Sequence, residues 1–267
     1  MRNLLLLGIL IFYSLSSFSQ QADFHAAFKK CNLKGSITIY NHQNREWIFS
    51  DSADAKITTL PASTFKIINL LIALETGVIK DENELFKWTG QKDTAIYGDR
   101  AEVYKDMTVK QAFEISAVWV FTELAKKIGR ERYQHYLNLS AYGNGNLSEE
   151  GIDFWNFGAF EISPVNQIEF LRRMYEGKLP FSGRTISIVK KVMISEVHPN
   201  YSIRSKTGWS RQSGKDVGWW VGYVERKGNA YFFATRLTKD RKLANSSFGQ
   251  CRKDITKNIL RELGIIN

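Results

Sequence analysis

Strand-forming segments lie at the two ends of this chain and helix-forming segments between them, a distribution that few architectures accommodate. Gly35 to Asn41 alternates and is rich in β-branched residues. A turn at His42 to Arg45 then leads into Glu46 to Ser50, so the spacing predicts a hairpin. From Pro61 to about Ala141 the apolar period is helical, with Gly77 and Gly129 as stops, and it resumes from Ser163 to Met174. Strand signals return in Ser202 to Thr207, Val217 to Glu225 and Ala230 to Thr238, the last two joined by the turn Arg226-Lys227-Gly228-Asn229. Arg252 to Leu263 reads as a closing amphipathic helix. Hairpins rather than crossovers at both ends imply an α/β (α+β) fold: one antiparallel sheet assembled from both termini, flanked by helices, with an all-helical lobe inserted. On this reading residues 20–267 form a single domain, with a sheet lobe of about 20–58 plus 182–267 and a helical lobe of about 59–181.

Residues 1–19 are a separate object. Arg2 supplies a short positive segment, Leu4 to Tyr13 is apolar, and Ser17-Phe18-Ser19 offers a small-x-small cleavage site. The pattern is that of a secretory signal peptide, with an uncleaved anchor as the alternative. Export to the periplasm is therefore expected, with no stable membrane association after cleavage. In an oxidising compartment Cys31 and Cys251 could pair or stay as two partly buried thiols, and spacing does not choose between them. Two cysteines exclude a four-thiolate zinc site, and the four histidines show no pair at ligand spacing, so no metal is expected. The net charge is +10, but Lys and Arg are interleaved with acids rather than clustered, which argues against nucleic acid and for some bias toward anionic substrates.

Chemistry enters at Pro61-Ala62-Ser63-Thr64-Phe65-Lys66, which opens the apolar run Ile67 to Leu74. Ser63 and Lys66 are three apart, neighbours on one face of a buried helix. The free amides at a helix start favour an anion developing near Ser63. Burial lowers a lysine's pKa, as a basic partner for a serine hydroxyl requires. A lone Ser-x-x-Lys is weak evidence; the other reading is a helix cap with a solvated lysine. A second copy, Ser187-Ile188-Val189-Lys190, reads as ordinary helix surface.

Context decides. Lys206-Thr207-Gly208, followed by Trp209, lies on a strand near the end of the chain, and a Lys-Thr-Gly strand with a Ser-x-x-Lys helix is shared by serine β-lactamases and penicillin-binding proteins. Ser116-Ala117-Val118, Tyr142-Gly143-Asn144, Phe154-Trp155 ahead of Gly158, and Trp219-Trp220-Val221-Gly222-Tyr223 follow in order. Together these resemble the class D β-lactamases (oxacillinases) over nearly all of the chain beyond the leader. Ser116-Ala117-Val118 is not the Ser-Asp-Asn of class A. Glu161 and Asn166 miss the Glu-x-x-x-Asn spacing of a class A deacylating glutamate, so Glu161 is read as structural.

The resemblance implies roles residue by residue. Ser63 is the acylated nucleophile. Lys66 is carboxylated by CO2 (N6-carboxylysine) and acts as general base, with no other cofactor. Trp155 donates its indole N–H to the carbamate, and Val118 keeps that pocket apolar. Ser116 relays a proton to the departing lactam nitrogen beside Lys206. The N–H groups of Ser63 and Trp209 form the oxyanion hole. Tyr142, Thr207, Gly208, Trp209 and Arg252 make up the substrate-binding set, Thr207 and Arg252 at the substrate carboxylate, with Tyr142 and Asn144 shaping the site rather than doing chemistry. One departure stands out: Asn156 follows Trp155 where family members carry leucine. The implied activity is hydrolysis of β-lactam antibiotics, hence resistance. The alternatives are a β-lactam sensor that acylates without turnover and a peptidoglycan transpeptidase or carboxypeptidase. Oligomeric state is not legible.

Overall fold

The computed structural model describes residues 24–90, 92 and 94–267, so the expected leader lies outside the described residues. Strand β1 (Lys34–Asn41) pairs with β2 (Glu46–Phe49) as the expected hairpin. The sheet is completed by β5 (Ile194–His198), β6 (Tyr201–Gln212), β7 (Lys215–Arg226) and β8 (Asn229–Asp240), in the spatial order β2-β1-β8-β7-β6-β5. Every pairing is antiparallel, and β1 lies against β8 from Lys34 opposite Thr238 to Asn41 opposite Tyr231. The β7–β8 turn puts Lys227 and Gly228 at φ of 49° and 76°. Positive φ at both central residues matches the strand twist, which explains a tight two-residue connection here.

Helices cover both faces. On one side lie α1 (Phe24–Lys30) and α10 (Phe248–Glu262), whose buried Phe248, Ile255 and Ile259 share a cluster with Ile37, Trp220 and Phe233. On the other, α2 (Lys66–Glu75) buries every residue except Glu75, so it is surrounded rather than amphipathic. Burial of each of its Leu and Ile side chains contributes about 2 kcal/mol of hydrophobic stabilisation. Against α2 pack α5 (Val118–Ile128), α6 (Arg130–Leu139) and α9 (Gly183–Val192); α4 (Val109–Ile115) packs on α5 and α9, α7 (Phe154–Phe157) on β6 and the turn before α2, and α8 (Pro164–Tyr175) on the sheet. Helix α4 opens with a reciprocal capping box between Thr108 and Gln111. Helix α8 opens with Ser163 accepting from the Asn166 amide at 3.2 Å, followed by Pro164.

Several expectations shift. Among the described residues of the stretch 77–107 there is no helix apart from a short α3 (Thr94–Tyr97) and a 3-10 turn; a two-residue ladder joins β3 (Leu85–Phe86) to β4 (Met107–Thr108). Gly77, at φ 68°, ends α2, and the residues beyond it carry charge at too many positions to sustain an apolar face. Helix α8, expected in the inserted lobe, packs against β1, β7 and β8. Strand β5 and helix α1 give no clear periodic signal, and α10 begins four residues earlier than its apolar period suggests. Cys31 and Cys251 form a disulfide with Cα atoms 6.1 Å apart, tying the end of α1 to the first turn of α10. No helix of the described residues is long and apolar enough to cross a membrane.

Candidate active site

Ser63 sits in a 3-10 turn, Ala62–Phe65, that runs directly into α2. Trp219 Nε1 donates to the Leu60 carbonyl at 3.0 Å and Thr64 Oγ1 to the Pro61 carbonyl at 2.8 Å, which pins the turn from both sides. Lys66, the first residue of α2, is fully buried, and its Nζ donates to Ser63 Oγ at 2.8 Å. Burial first, then the Arg100 charge, push its ammonium down to about 7, while Asp153 acts in the opposite sense. An amine in that range holds an appreciable neutral fraction at physiological pH and can accept a proton from the serine.

The second pair faces the first from α4 and β6. Ser116 closes α4 in the left-handed region, φ 61° and ψ 38°, a strained conformation for a side chain with a Cβ. Its Oγ accepts from Lys206 Nζ at 2.6 Å. Lys206 is held well below the usual lysine range by burial and by the charges of Lys66, Arg252, Lys253 and Arg100. Val118, two residues beyond Ser116, is half-buried at the start of α5.

Strand β6 carries Lys206, Thr207, Gly208 and Trp209 opposite Val221, Trp220, Trp219 and Gly218. Gly208 explains how close it comes to the nucleophile. A Cβ there would lie 2.8 Å from the Pro61 oxygen and 3.3 Å from the Thr64 nitrogen, both backbone atoms that cannot yield. Arg252 reaches in from α10, its Nε donating to the Gly249 carbonyl at 2.8 Å and its Nη1 to the Gly208 carbonyl. Burial brings its guanidinium down to about 10. Two polar hydroxyls, two buried lysines and an arginine thus converge where β6 meets the start of α2.

The penicillin-binding protein transpeptidase domain family matches residues 35–261. The β-lactamase OXA-5 of Pseudomonas aeruginosa is 38% identical over 266 residues, covering 97% of this chain and 96% of its own. OXA-48 of Klebsiella pneumoniae is 36% identical, with coverages of 93% and 91%. A solved class D β-lactamase from Sebaldella termitidis superposes with a TM-score of 0.87 at 43% identity, covering 93% of this chain and 98% of that one. The chain belongs to the class D β-lactamases.

In this β-lactamase the remaining motif residues divide sharply. Trp155 is fully buried, and its Nε1 has no hydrogen-bond partner among the described residues. A buried N–H without an acceptor is costly, and an anionic oxygen in the pocket beside it would satisfy it; the donor set therefore fits a carboxylated Lys66. Tyr142 corrects the expectation that it contacts substrate. It is 1% exposed, ringed by Phe65, Phe160 and Phe170, and burial pushes its hydroxyl above the usual phenol range. It lies 3.5 Å from Gln167 Oε1, and Gln167 Nε2 donates to Thr64 Oγ1 at 2.8 Å, so Tyr142 supports the nucleophile turn from behind. Asn144 accepts from the Glu161 amide at 3.1 Å and donates to Ala159 at 2.9 Å, clamping a loop. Glu161 accepts from Thr58 at 2.7 Å and Gln212 at 2.6 Å, a bridging role.

Three residues near the class D centre lay outside the sequence reading. Arg100 and Asp153 are the charges that act on Lys66. Asp216, buried on β7, accepts from the Trp209 indole at 3.1 Å and from Lys239 at 2.5 Å, and so orients a ring that is 45% exposed at the site. Arg100 sits in the stretch taken for helix, and the other two act across strands or turns, where linear spacing carries no signal. The exposed Ser187 on α9 has no part in the site, and Lys190 Nζ donates to the Tyr175 carbonyl at 2.8 Å.

Proposed function

We propose that this enzyme opens the lactam amide of penicillins and related antibiotics through an ester on Ser63, and so confers resistance. The observation that carries the reading is the 2.8 Å contact between Ser63 Oγ and a buried Lys66 amine brought down to about 7. Lys66 takes the serine proton as Oγ attacks the carbonyl, and the N–H groups of Ser63 and Trp209 hold the oxygen that becomes negative. Ser116, bonded to Lys206, passes a proton to the leaving nitrogen. Arg252 and Thr207, on either side of Gly208, take the substrate carboxylate. Carboxylation of Lys66 by CO2 would supply a stronger, anionic base for the water that releases the product. Trp155 would donate to that group and Val118 would exclude water from it. The site draws on no metal, and the protein works in the periplasm after loss of residues 1–19.

The test is hydrolysis of a chromogenic cephalosporin by the mature protein, in bicarbonate-supplemented and CO2-depleted buffer, with Ser63→Ala as control. Turnover that rises with bicarbonate and disappears in the control is expected. A single burst of acylation without turnover in either buffer overturns the hydrolase reading in favour of a sensor, and the buried amide of Asn156 beside Trp155 then becomes the first residue to change.

A further inference from the structure

The turn that presents Ser116 is held by a residue from another part of the chain. Helix α4 ends with the Ser116 amide donating to the Phe113 carbonyl at 3.3 Å and the Ala117 amide to the Ala112 carbonyl at 2.9 Å. These two bonds make a common helix stop whose left-handed position is ordinarily a glycine. Here that position is Ser116, at φ 61°. A residue with a Cβ keeps such a conformation only where its surroundings hold it there. The carbonyl of Ile115, which belongs to the peptide leading into Ser116, takes no part in either bond. Its partner is Arg100, whose Nη2 donates to it at 2.7 Å. Arg100 Nε donates to Glu102 at 2.9 Å, so the guanidinium is gripped on two sides. Its own segment is braced in turn. The 3-10 turn Ala101–Val103 follows it, and Trp119 Nε1, three residues past Ser116, donates to the Val103 carbonyl at 2.6 Å. Residues 100–103 are thus tied to both flanks of the Ser116 turn.

We propose that Arg100 is a positioning residue for departure of the lactam nitrogen: by fixing the peptide ahead of Ser116 it keeps Oγ on Lys206 Nζ, with the hydroxyl proton free for the leaving group. This role rests on the proton-relay reading of Ser116 given above. As the C–N bond of the tetrahedral adduct breaks, its electron pair moves onto nitrogen. The nitrogen takes the Ser116 hydroxyl proton, and Lys206 returns a proton to Oγ. The need for that transfer depends on the nitrogen. In a penicillin it leaves as an ordinary amine nitrogen and requires the proton as the bond breaks. In a cephalosporin it is conjugated with the double bond of the six-membered ring, which shares the developing charge. Loosening the Ser116 turn therefore slows penicillins more than cephalosporins, and Arg100 biases the enzyme toward penicillins. The Arg100 charge that also acts on Lys66 gives no such bias, because Lys66 takes the serine proton before the nitrogen departs, in both substrates alike.

The experiment compares kcat/KM for benzylpenicillin and a chromogenic cephalosporin in the parent, Arg100→Ala, Arg100→Lys, Glu102→Gln and Ser116→Ala, with thermal melts alongside. Arg100→Ala should lose about tenfold or more on the penicillin and less than about threefold on the cephalosporin, a fraction of what a general acid contributes. Arg100→Lys, which keeps a donor for the Ile115 carbonyl, should recover most of the loss. Glu102→Gln, which releases one side of the guanidinium, should shift the ratio the same way by less. The Arg100 side chain is 40% exposed, so the fold should survive its removal. Equal losses on the two substrates in Arg100→Ala, or none, overturn the inference where Ser116→Ala itself discriminates between them. A Ser116→Ala variant that does not discriminate would instead remove the relay reading, and this inference with it.

Discussion

Phe65 and Trp155 stack with ring centroids 5.0 Å apart and planes within 3° of parallel. One ring belongs to the turn that carries the nucleophile and the other to α7. The stack therefore locks α7 to the residue that precedes the lysine. Trp155 combines two separable contributions, a packed ring and an N–H. Trp155→Phe keeps most of the first and removes the second. It should cost less than about 1.5 kcal/mol of stability while lowering turnover at limiting bicarbonate by more than about tenfold. Chemical denaturation beside steady-state kinetics separates the two.

Lys66 makes stability depend on alkaline pH. Its folded value of about 7 lies below the ordinary 10.5, so between those values the unfolded chain binds a proton that the fold does not. Stability therefore rises with pH across that window, and the penalty is complete below it. The swing approaches about 4–5 kcal/mol for a fully buried amine. Lys206, lowered in the same direction, adds to it with the same sign. Urea midpoints in CO2-free buffer from pH 7 to 10 should climb in the parent and climb less in Lys66→Met; equal slopes would contradict this account. By the same linkage, acylation by a penicillin should fall off below pH 7 as the amine becomes protonated.

Gly208 is a steric requirement rather than a conformational one. In Gly208→Ala the new methyl would meet the Pro61 oxygen at 2.8 Å, so β6 must retreat from the nucleophile turn. The expected result is a loss of about 1–3 kcal/mol in stability and at least a hundredfold loss in kcat/KM. A variant that melts lower but keeps its kcat/KM would show that the approach is not needed for catalysis.

Reduction of the Cys31–Cys251 bond releases α1 from α10 across nearly the whole chain. A loop of that length predicts a loss of about 2–5 kcal/mol. Arg252 is the next residue, so the loosened first turn of α10 should also raise KM for carboxylate-bearing substrates more than it lowers kcat. Denaturation and kinetics with and without dithiothreitol, and in Cys251→Ser, measure both effects.

Legibility in the sequence followed the range of each interaction. Ser63 with Lys66 is a local pair, and the Lys206 strand and Ser116 turn have their own local signatures, so the residues that the structure brings together could be named from spacing and resemblance. The sheet assembled from both termini was legible for the same reason, since hairpin turns and alternation are local. Tyr142 was misplaced because a Tyr-Gly-Asn turn identifies a residue but not the side of the nucleophile turn it faces. The segment after Gly77 was taken for helix because scattered apolar residues mimic a helical period when no tertiary contact is considered. Arg100, Asp153 and Asp216 act through space on groups far away in the chain, and nothing in linear spacing encodes that. The disulfide was open for the same reason; only the packing of α1 beside α10 brings its two ends together.

The pairing of β1 with β8 also dictates when the molecule can become itself. Lys34 lies opposite Thr238, so the partner of the first strand leaves the ribosome about 200 residues later, a delay of tens of seconds at ordinary synthesis rates. Until then β1 and β2 form only an isolated hairpin, marginal in water. The sheet, and with it the Lys206 strand that completes the site, can close only once the chain is all but finished. A nascent chain halted before β8 has no shortened version of this fold to fall back on.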